Sequence, residues 1–334
     1  SSYIRELAKK SCETGYNLLK KAYVYGIDEP ISNNALDKTK AFAESFRSQI
    51  ADIVEELTAQ KQAYIDEYGV SEEYFDEVLN AAANVRFVTT TRFREDYEPY
   101  VDIWCPHFNS FESGYATGLY DGEDKLWWYG AVSPKAPYPT YHLDDTLLSS
   151  RMVGWLQSIY NVEGNIYWGV NVYAKYNGSY QYVDDYYTDP GHYYNVNGDG
   201  FLLYPGKKYG IDGPIPSIRL ESIRDGYEEY EMLYAINEKY AEIGLTSVGK
   251  EFSATETVAD IASSLYTGMK ITATNESFAT ARSSLLDLAE FTESGICFTD
   301  YTDDGEGLIE YELFVPNGAS LNVTGATKTK ETAV

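Results

Sequence analysis

Short runs of β-branched and aromatic residues alternate with longer, helix-patterned segments along the first half of the chain. Apolar runs between polar turns predict buried strands at 22–27, 85–91, 101–104, 126–132 and 165–173. Amphipathic or Ala- and Glu-rich segments predict helices at 3–20, 36–68, 71–83 and 147–160. Strands separated by helices indicate parallel βα units, so the pattern predicts the α/β class.

The second half changes character. Residues 174–216 are rich in Tyr, Asp, Asn, Gly and Pro, which predicts a long ordered loop. Three more helices are predicted at 217–240, 254–266 and 275–291. Leu308–Val315 and Ser320–Val323 alternate around the turn signal Asn317-Gly318, which predicts a hairpin. We therefore expect a main α/β domain over 1–240, a helical extension packing on it over 241–295, and a β-rich tail or start of a further module over 296–334.

Five predicted parallel strands are too few to close an eight-stranded barrel. The chain opens on a helix that leads directly into strand 22–27. A barrel would therefore need three further βα units, upstream in the native protein or on another segment. An open α/β sheet of five strands is the structural alternative.

Composition narrows the class of partner. The chain has 334 residues, and 26 basic against 52 acidic residues leave a net charge of -26. Nucleic acids and anionic membranes need a cationic surface, so we expect neither as a partner. No apolar run is long enough to insert into a membrane. We expect a secreted, cell-surface or periplasmic bacterial protein, although no signal peptide is visible; the oligomeric state stays open.

Cysteine and histidine usage does not indicate a metal site. The three cysteines are Cys12, Cys105 and Cys297, and the three histidines are His107, His142 and His192. Neither set has the close spacing of metal ligands, and an odd cysteine count gives no disulfide framework. We expect no metal and no organic cofactor.

Aromatic residues are unusually frequent. Tyrosine accounts for 33 positions, and all five tryptophans lie between Trp104 and Trp168. Aromatic faces stack on the apolar C–H faces of sugar rings, and tyrosine and tryptophan also supply hydrogen bonds. Some of these side chains must belong to the core, but their crowding near predicted strand ends favours a carbohydrate site.

Two adjacent carboxylates, Asp28 and Glu29, follow the strand 22–27 and precede Pro30. In an α/β barrel, residues at the carboxyl end of a strand point into the mouth of the active site. Two acids there can act as proton donor and as charge stabiliser. The alternative is an aspartate that caps a helix beside a solvated glutamate.

Six segments carry a family resemblance: VYGIDEP (24–30), VDIWCP (101–106), LWWYG (126–130), PTYHLD (139–144), YWGVN (167–171) and the stretch 198–233. In this order they resemble the catalytic region of glycoside hydrolase family 123 and its uncharacterised relatives, over roughly residues 20–235. The resemblance implies a (β/α)8 TIM-type barrel, of which the five C-terminal βα units are present here. It also implies that the Asp-Glu pair ends the fourth strand.

The same resemblance implies retaining hydrolysis of β-linked N-acetylgalactosamine from a glycan, assisted by the substrate's own acetamide. Neighbouring acids on one strand end cannot easily flank a sugar from both sides, as the two carboxyls of ordinary glycosidases do. Glu29 would then be the general acid and base. Asp28 would orient the acetamide nitrogen and stabilise the oxazolinium-like intermediate.

Further substrate-binding residues are predicted near other strand ends: Tyr25, His107, Trp128, Tyr129, Trp168 and Asn171. Of Trp128 and Tyr129, one should face the pocket and the other pack against helices. Trp168 and Asn171 could supply a sugar platform and a hydroxyl contact. His107 could bind substrate or be a structural hydrogen-bonding group. The charged stretch 219–225 is expected to build ion pairs along a helix.

Three alternatives to this hexosaminidase remain: a non-catalytic glycan-binding protein, an inactive barrel fragment, and a glycosidase that acts on another sugar. The intact Asp28-Glu29 pair argues against the first, because a lectin needs no general acid. Galacto or gluco configuration and the aglycone are left open by the sequence.

Overall fold

A computed structural model describes residues 2–116, 118, 126–176, 179–183, 185–243, 245–247, 250–251, 254–294, 297–303 and 309–316. The chain forms two compact units, residues 1–145 with 161–216 and residues 146–160 with 217–334. None of the helices in the described ranges is long and apolar enough to cross a membrane. The predicted boundaries at residues 240 and 295 stay a prediction.

The helices in these ranges are α1 (Ser2–Thr14), α2 (Asn33–Ala59), α3 (Lys61–Tyr68), α4 (Glu72–Ala83), α5 (Phe108–Ala116), α6 (Leu147–Ile159), α7 (Ile218–Ile243), α8 (Ala254–Ala262) and α9 (Asn275–Ser294). The first strands are β1 (Tyr23–Tyr25), β2 (Arg86–Thr89), β3 (Ile103–Trp104), β4 (Trp127–Gly130) and β5 (Gly164–Tyr167). Short strands follow: β6 (Ala174–Tyr176), β7 (Tyr180–Tyr182), β8 (Leu203–Pro205), β9 (Pro214–Pro216), β10 (Leu245–Ser247), β11 (Lys250–Glu251), β12 (Tyr266–Thr267) and β13 (Lys270–Ile271). The last two are β14 (Cys297–Asp303) and β15 (Ile309–Pro316).

Five parallel strands, β1 to β5, form the centre of the first unit in sequence order. β1 pairs with β2 and β2 with β3, while β4 pairs with β5. Two isolated parallel bridges, Trp104 with Leu126 and His107 with Tyr129, connect the two groups. The predicted α/β class is therefore confirmed. Among the described residues the five strands do not close into a barrel.

Helices α1, α2 and α4 pack together through an apolar core of the first unit. Ile4, Ile53, Leu57 and Val78 are buried in it. The Ser71 hydroxyl accepts a hydrogen bond from the Tyr74 amide at 3.1 Å, which caps the start of α4. Because β1, β2 and β3 are parallel neighbours, their carboxyl ends lie at the same edge of the sheet.

Several predicted bounds were wrong. The helix predicted over 3–20 ends at Thr14, because Gly15 adopts a left-handed φ of 69°. The helix over 36–68 is broken at Gln60 into α2 and α3. The strand over 165–173 stops at Tyr167, so Trp168 and Asn171 lie in the connection that follows. Helix α5 was not predicted, since its aromatic residues suggest a strand as readily as a helix.

The predicted loop 174–216 contains two antiparallel pairs, β6 with β7 and β8 with β9. In the second unit, β15 matches the strand predicted at Leu308–Val315. It pairs with two upstream strands, β14 and β10. The predicted turn Asn317-Gly318 and strand Ser320–Val323 lie outside the described residues.

Close helix packing characterises the second unit. A Cβ added to Gly154 of α6 would lie 2.2 Å from the carbonyl oxygen of Gly226 in α7, so this approach requires glycine. Within the predicted charged stretch, Arg224 pairs with Glu221 and Asp225 along α7. These contacts agree with the expected ion pairs along a helix.

Candidate active site

The carboxyl ends of the parallel strands surround a cavity of about 700 Å³ in the first unit. Residues within or just beyond β1, β2, β4 and β5 line it, together with three residues from the connection between β7 and β8. The lining residues are Tyr23, Tyr25, Asp28, Glu29, Thr90, Tyr129, Ala131, Val132, Ile166, Tyr167, Trp168, Tyr193, Tyr194 and Asp199. Parallel α/β sheets place their binding crevices at this edge.

Asp28 is oriented by two hydroxyl groups. Its Oδ1 atom accepts a short hydrogen bond from the Tyr25 phenol and a longer one, 3.3 Å, from the Thr90 hydroxyl. The Tyr25 and Thr90 oxygens are 3.0 Å apart. Oδ2 has no hydrogen-bond partner among the described residues, so one oxygen of this carboxylate is held and the other is open to a ligand.

Glu29 is held from the opposite side. Its Oε1 atom accepts a hydrogen bond of 2.6 Å from the Tyr129 phenol and lies 3.2 Å from Nε2 of His107. The His107 and Tyr129 rings lie against each other, with centroids 3.9 Å apart and an angle of 31° between their planes. As with Asp28, the second carboxylate oxygen, Oε2, has no hydrogen-bond partner in the described part of the chain.

The protonation of His107 follows from its surroundings. Its Nδ1 atom is buried and meets no hydrogen-bond partner among the described residues. A buried N–H without an acceptor is more costly than a buried lone pair without a donor. A proton on Nε2 rather than on Nδ1 therefore fits best, and it points to Glu29.

The backbone separates the two acids. Glu29 has a φ of 42°, in the left-handed region that costs a non-glycine residue about 1–2 kcal/mol. Its amide donates a hydrogen bond of 2.9 Å to the Thr90 hydroxyl oxygen, which supports this conformation. As a result Asp28 faces groups beside β1 and β2, whereas Glu29 faces groups beside β3 and β4.

Both phenols act as hydrogen-bond donors. Burial raises the pKa of Tyr129, and its hydrogen bond to Glu29 raises it further. Burial also raises the pKa of Tyr25, with a second contribution from Asp28. A free tyrosine ionises near pH 10, so these two keep their protons well above neutral pH. Each carboxylate therefore keeps its donor.

Trp168 is fixed by a buried acid. Its indole Nε1 lies 3.1 and 3.2 Å from the two carboxylate oxygens of Asp199, which is fully buried. The Tyr167 phenol donates to the same carboxylate at 3.1 Å, and Nε2 of His142 lies 3.9 Å away. Burial raises the pKa of Asp199, and the hydrogen bonds from Trp168 and Tyr167 offset part of that rise.

Two of the predicted binding residues lie elsewhere. Trp128 is fully buried and packs on Phe108 and Phe111, with centroids 5.4 and 5.2 Å apart, so Tyr129 is the residue of this pair that faces the cavity. Asn171 lines a different cavity of about 780 Å³. The structure does bring Tyr25, Asp28, Glu29, Tyr129 and Trp168 together, with His107 against Glu29.

Cys105 is fully buried, and burial raises the pKa of its thiol. It is therefore held as a neutral thiol, which is a poor nucleophile. The described residues contain no group of three or more His, Cys, Asp or Glu side chains that could hold a metal ion.

Sequence reasoning missed Thr90, Tyr167, Tyr193 and Tyr194, and it assigned no role to Asp199. Thr90 directly follows β2, so its place at a strand end was the available signal. Tyr167 likewise ends β5. Tyr193, Tyr194 and Asp199 belong to the long connection between β7 and β8, where position along the chain does not predict side-chain direction. Only the folded structure brings them to the cavity.

Adjacent carboxylates in an aromatic cavity at the carboxyl ends of parallel strands are a suitable active site for a carbohydrate hydrolase. A sequence model of the glycoside hydrolase 123 catalytic domain matches residues 18–236, and the chain belongs to this family. Membership implies glycosidase activity and a glycan substrate. A comparison with curated proteins found no match.

Proposed function

We propose that the protein removes β-linked N-acetylhexosamine, with N-acetylgalactosamine favoured, by a retaining and substrate-assisted mechanism. The observation that supports this best is the shared pattern of Asp28 and Glu29. Each acid has one oxygen held by hydroxyl or imidazole donors and one oxygen without a protein partner among the described residues. Two neighbouring acids thus present separate open oxygens to one cavity.

In the proposed first step, Glu29 carries a proton on Oε2 and transfers it to the glycosidic oxygen as the bond to the anomeric carbon breaks. The acetamide carbonyl oxygen of the same sugar forms a bond to that carbon, giving an oxazolinium-like intermediate. Oδ2 of Asp28 accepts the acetamide N–H and balances its positive charge.

In the second step, water attacks the anomeric carbon from the side that the leaving group has vacated. Glu29 takes the proton from that water, and the oxazolinium-like ring opens to restore the acetamide. Two inversions give overall retention. Tyr129 and His107 hold Oε1 throughout, so Oε2 keeps its direction in both steps.

We also propose that the row β1 to β5 is the C-terminal part of a (β/α)8 barrel. The parallel order of the strands and the position of the cavity at their carboxyl ends support this. Asp28 and Glu29 would then end the fourth strand of the complete barrel.

The test uses nitrophenyl glycosides that differ only at carbon 2. We expect the β-N-acetylgalactosaminide to be hydrolysed, and the β-galactoside to react at least about 10³-fold more slowly, because it lacks a positioned intramolecular nucleophile. Fluorinated acetamides should slow the reaction stepwise as their carbonyl oxygen becomes less nucleophilic. Equal rates on the galactoside, or no response to fluorination, would exclude substrate assistance.

Thr90→Val should disturb the Asp28-Glu29 pair through the hydrogen bonds that it removes. The valine keeps the shape but removes the hydroxyl that accepts from the Glu29 amide and donates to Asp28. We expect the free energy of unfolding to fall by about 1–2 kcal/mol. Since a displacement of about 1 Å can cost about 10²-fold, kcat should fall at least about tenfold. Chemical denaturation and steady-state kinetics measure the two effects.

Thr89, the residue before Thr90, provides a matched control. Thr89 is fully buried, and its hydroxyl has no hydrogen-bond partner among the described residues. Thr89→Val makes the same chemical change and should leave kcat unchanged and stability equal or higher. Thr90→Ser keeps the hydroxyl and should retain most activity. Equal behaviour of the two valine variants would contradict the role given to Thr90.

A further inference from the structure

Three aromatic side chains form a continuous wall of the cavity. The Trp168 and Tyr193 rings lie with centroids 4.5 Å apart and an angle of 31° between their planes. Tyr193 in turn meets Tyr194 edge to face at 4.8 Å. All three line the same cavity as Asp28 and Glu29. The wall therefore extends away from Trp168 over two further rings.

The inner end of this wall is preorganised. The carboxylate of Asp199, which is fully buried, accepts the hydrogen bond from the Trp168 indole N–H. A Cβ on Gly200 would lie 2.4 Å from Cζ2 of Trp168, so the ring can occupy this place only because residue 200 is glycine. A wall that is already in position loses little conformational entropy when a ligand binds.

The outer end is held in an unfavourable state. Tyr194 has a φ of 50° and is 60% exposed. A bulky residue in the left-handed region is a rare and strained conformation that concentrates at ligand sites. Here it holds a large ring at the rim of the cavity, where water covers it until a ligand arrives.

We propose that Tyr193 and Tyr194 form a subsite for a second sugar ring, next to the sugar whose bond is cleaved. The proposal rests on the proposed function and specifies its substrate class: a β-linked oligosaccharide or glycan chain. An uncharged aromatic platform suits the apolar C–H face of a neutral pyranose. A cavity of about 700 Å³ lies in the upper part of the usual range of about 300–1,000 Å³ for small-molecule sites.

The experiment measures equilibrium binding in the Glu29→Gln background, where the ligand is not consumed. The two probes are methyl β-N-acetylgalactosaminide and a trisaccharide with the same β-linked terminal sugar. We expect Tyr194→Ala to weaken trisaccharide binding about tenfold, within the range of an aromatic contact. The methyl glycoside should lose far less. Tyr194→Phe keeps the ring and should bind the trisaccharide almost as well as the parent.

Tyr209→Ala is the matched control. Tyr209 is also a largely exposed tyrosine, 56% accessible, but does not line this cavity. Its removal should leave both affinities unchanged. Equal losses of both probes in Tyr194→Ala would place Tyr194 at the first sugar and overturn the proposal. No loss of either probe, or no trisaccharide binding by the parent, would overturn it too.

The proposed function fails separately from the subsite. Suppose that the wild-type protein hydrolyses neither nitrophenyl glycoside but that trisaccharide binding still depends on the Tyr194 ring. The glycan subsite is then supported and the hexosaminidase activity is excluded. If hydrolysis is found and the two affinities respond equally to Tyr194→Ala, the activity stands and the second-sugar subsite falls.

Discussion

Glu29→Gln is expected to lower kcat for the aryl β-N-acetylgalactosaminide by about 10²–10⁴-fold, the usual contribution of a general acid or base. The amide has the shape of the carboxyl group but can neither give nor take the proton. Its oxygen can still accept the hydrogen bond from Tyr129, so the fold and the cavity should persist. Steady-state kinetics would show the lower kcat, and an unchanged thermal unfolding midpoint would show the intact fold.

Substrates with different leaving groups distinguish the loss of proton donation from other effects of the Glu29→Gln substitution. A dinitrophenyl leaving group needs little protonation, so the bond-breaking step in Glu29→Gln should be much less impaired with it than with a nitrophenyl or sugar leaving group. Glu95→Gln changes an exposed carboxylate outside the cavity and should retain full activity. Activity of Glu29→Gln within about threefold of wild type on a sugar leaving group would remove Glu29 as the acid.

The largest expected loss of stability comes from Glu229, in the second unit. This glutamate is 2% exposed and accepts hydrogen bonds from the Trp155 indole at 2.7 Å, from Nε of Arg151 at 3.1 Å and from Nε of Arg282 at 2.7 Å. Glu229→Ala leaves two guanidinium groups and an indole N–H without their acceptor. Breaking a buried ion pair from one side costs about 3–5 kcal/mol.

We expect the lower end of that range, because Arg282 is 42% exposed and water can solvate its charge. Denaturant unfolding, followed by far-ultraviolet circular dichroism, measures the change in the free energy of unfolding. Glu228→Ala removes a neighbouring glutamate whose side chain is 68% exposed, and should cost no more than about 0.5 kcal/mol. Similar losses in the two variants would show that the Glu229 network does not stabilise the unit.

Much of the α/β framework could be predicted because it depends on local patterns. Apolar runs located β1 to β4, and the end of β1 located Asp28 and Glu29. Ser71 indicated the start of α4, and its hydroxyl caps that helix. Errors arose where a local pattern continued past a structural boundary: the apolar run of β5 extends beyond Tyr167, and nothing nearby in sequence marks the break at Gln60.

The site was less predictable, because its geometry depends on contacts between distant residues. Alternation along β4 implied that one of Trp128 and Tyr129 faces the cavity, but either choice satisfied the pattern. Burial of Trp128 against α5, a helix that the pattern did not indicate, settled it. Thr90 stands 61 residues from Glu29 along the chain and carries no motif, yet it orients both acids.

The sequence by itself determined the α/β class, the family and the pair of acids at a strand end, since these depend on short-range periodicity and on residue types. The tertiary structure alone decided which oxygen of each acid is held, which aromatic rings reach the cavity, and how Glu229 is buried. Those features depend on side-chain direction and on hydrogen bonds across long separations. A local pattern limits such directions to a few alternatives, and the packing of the complete fold selects among them.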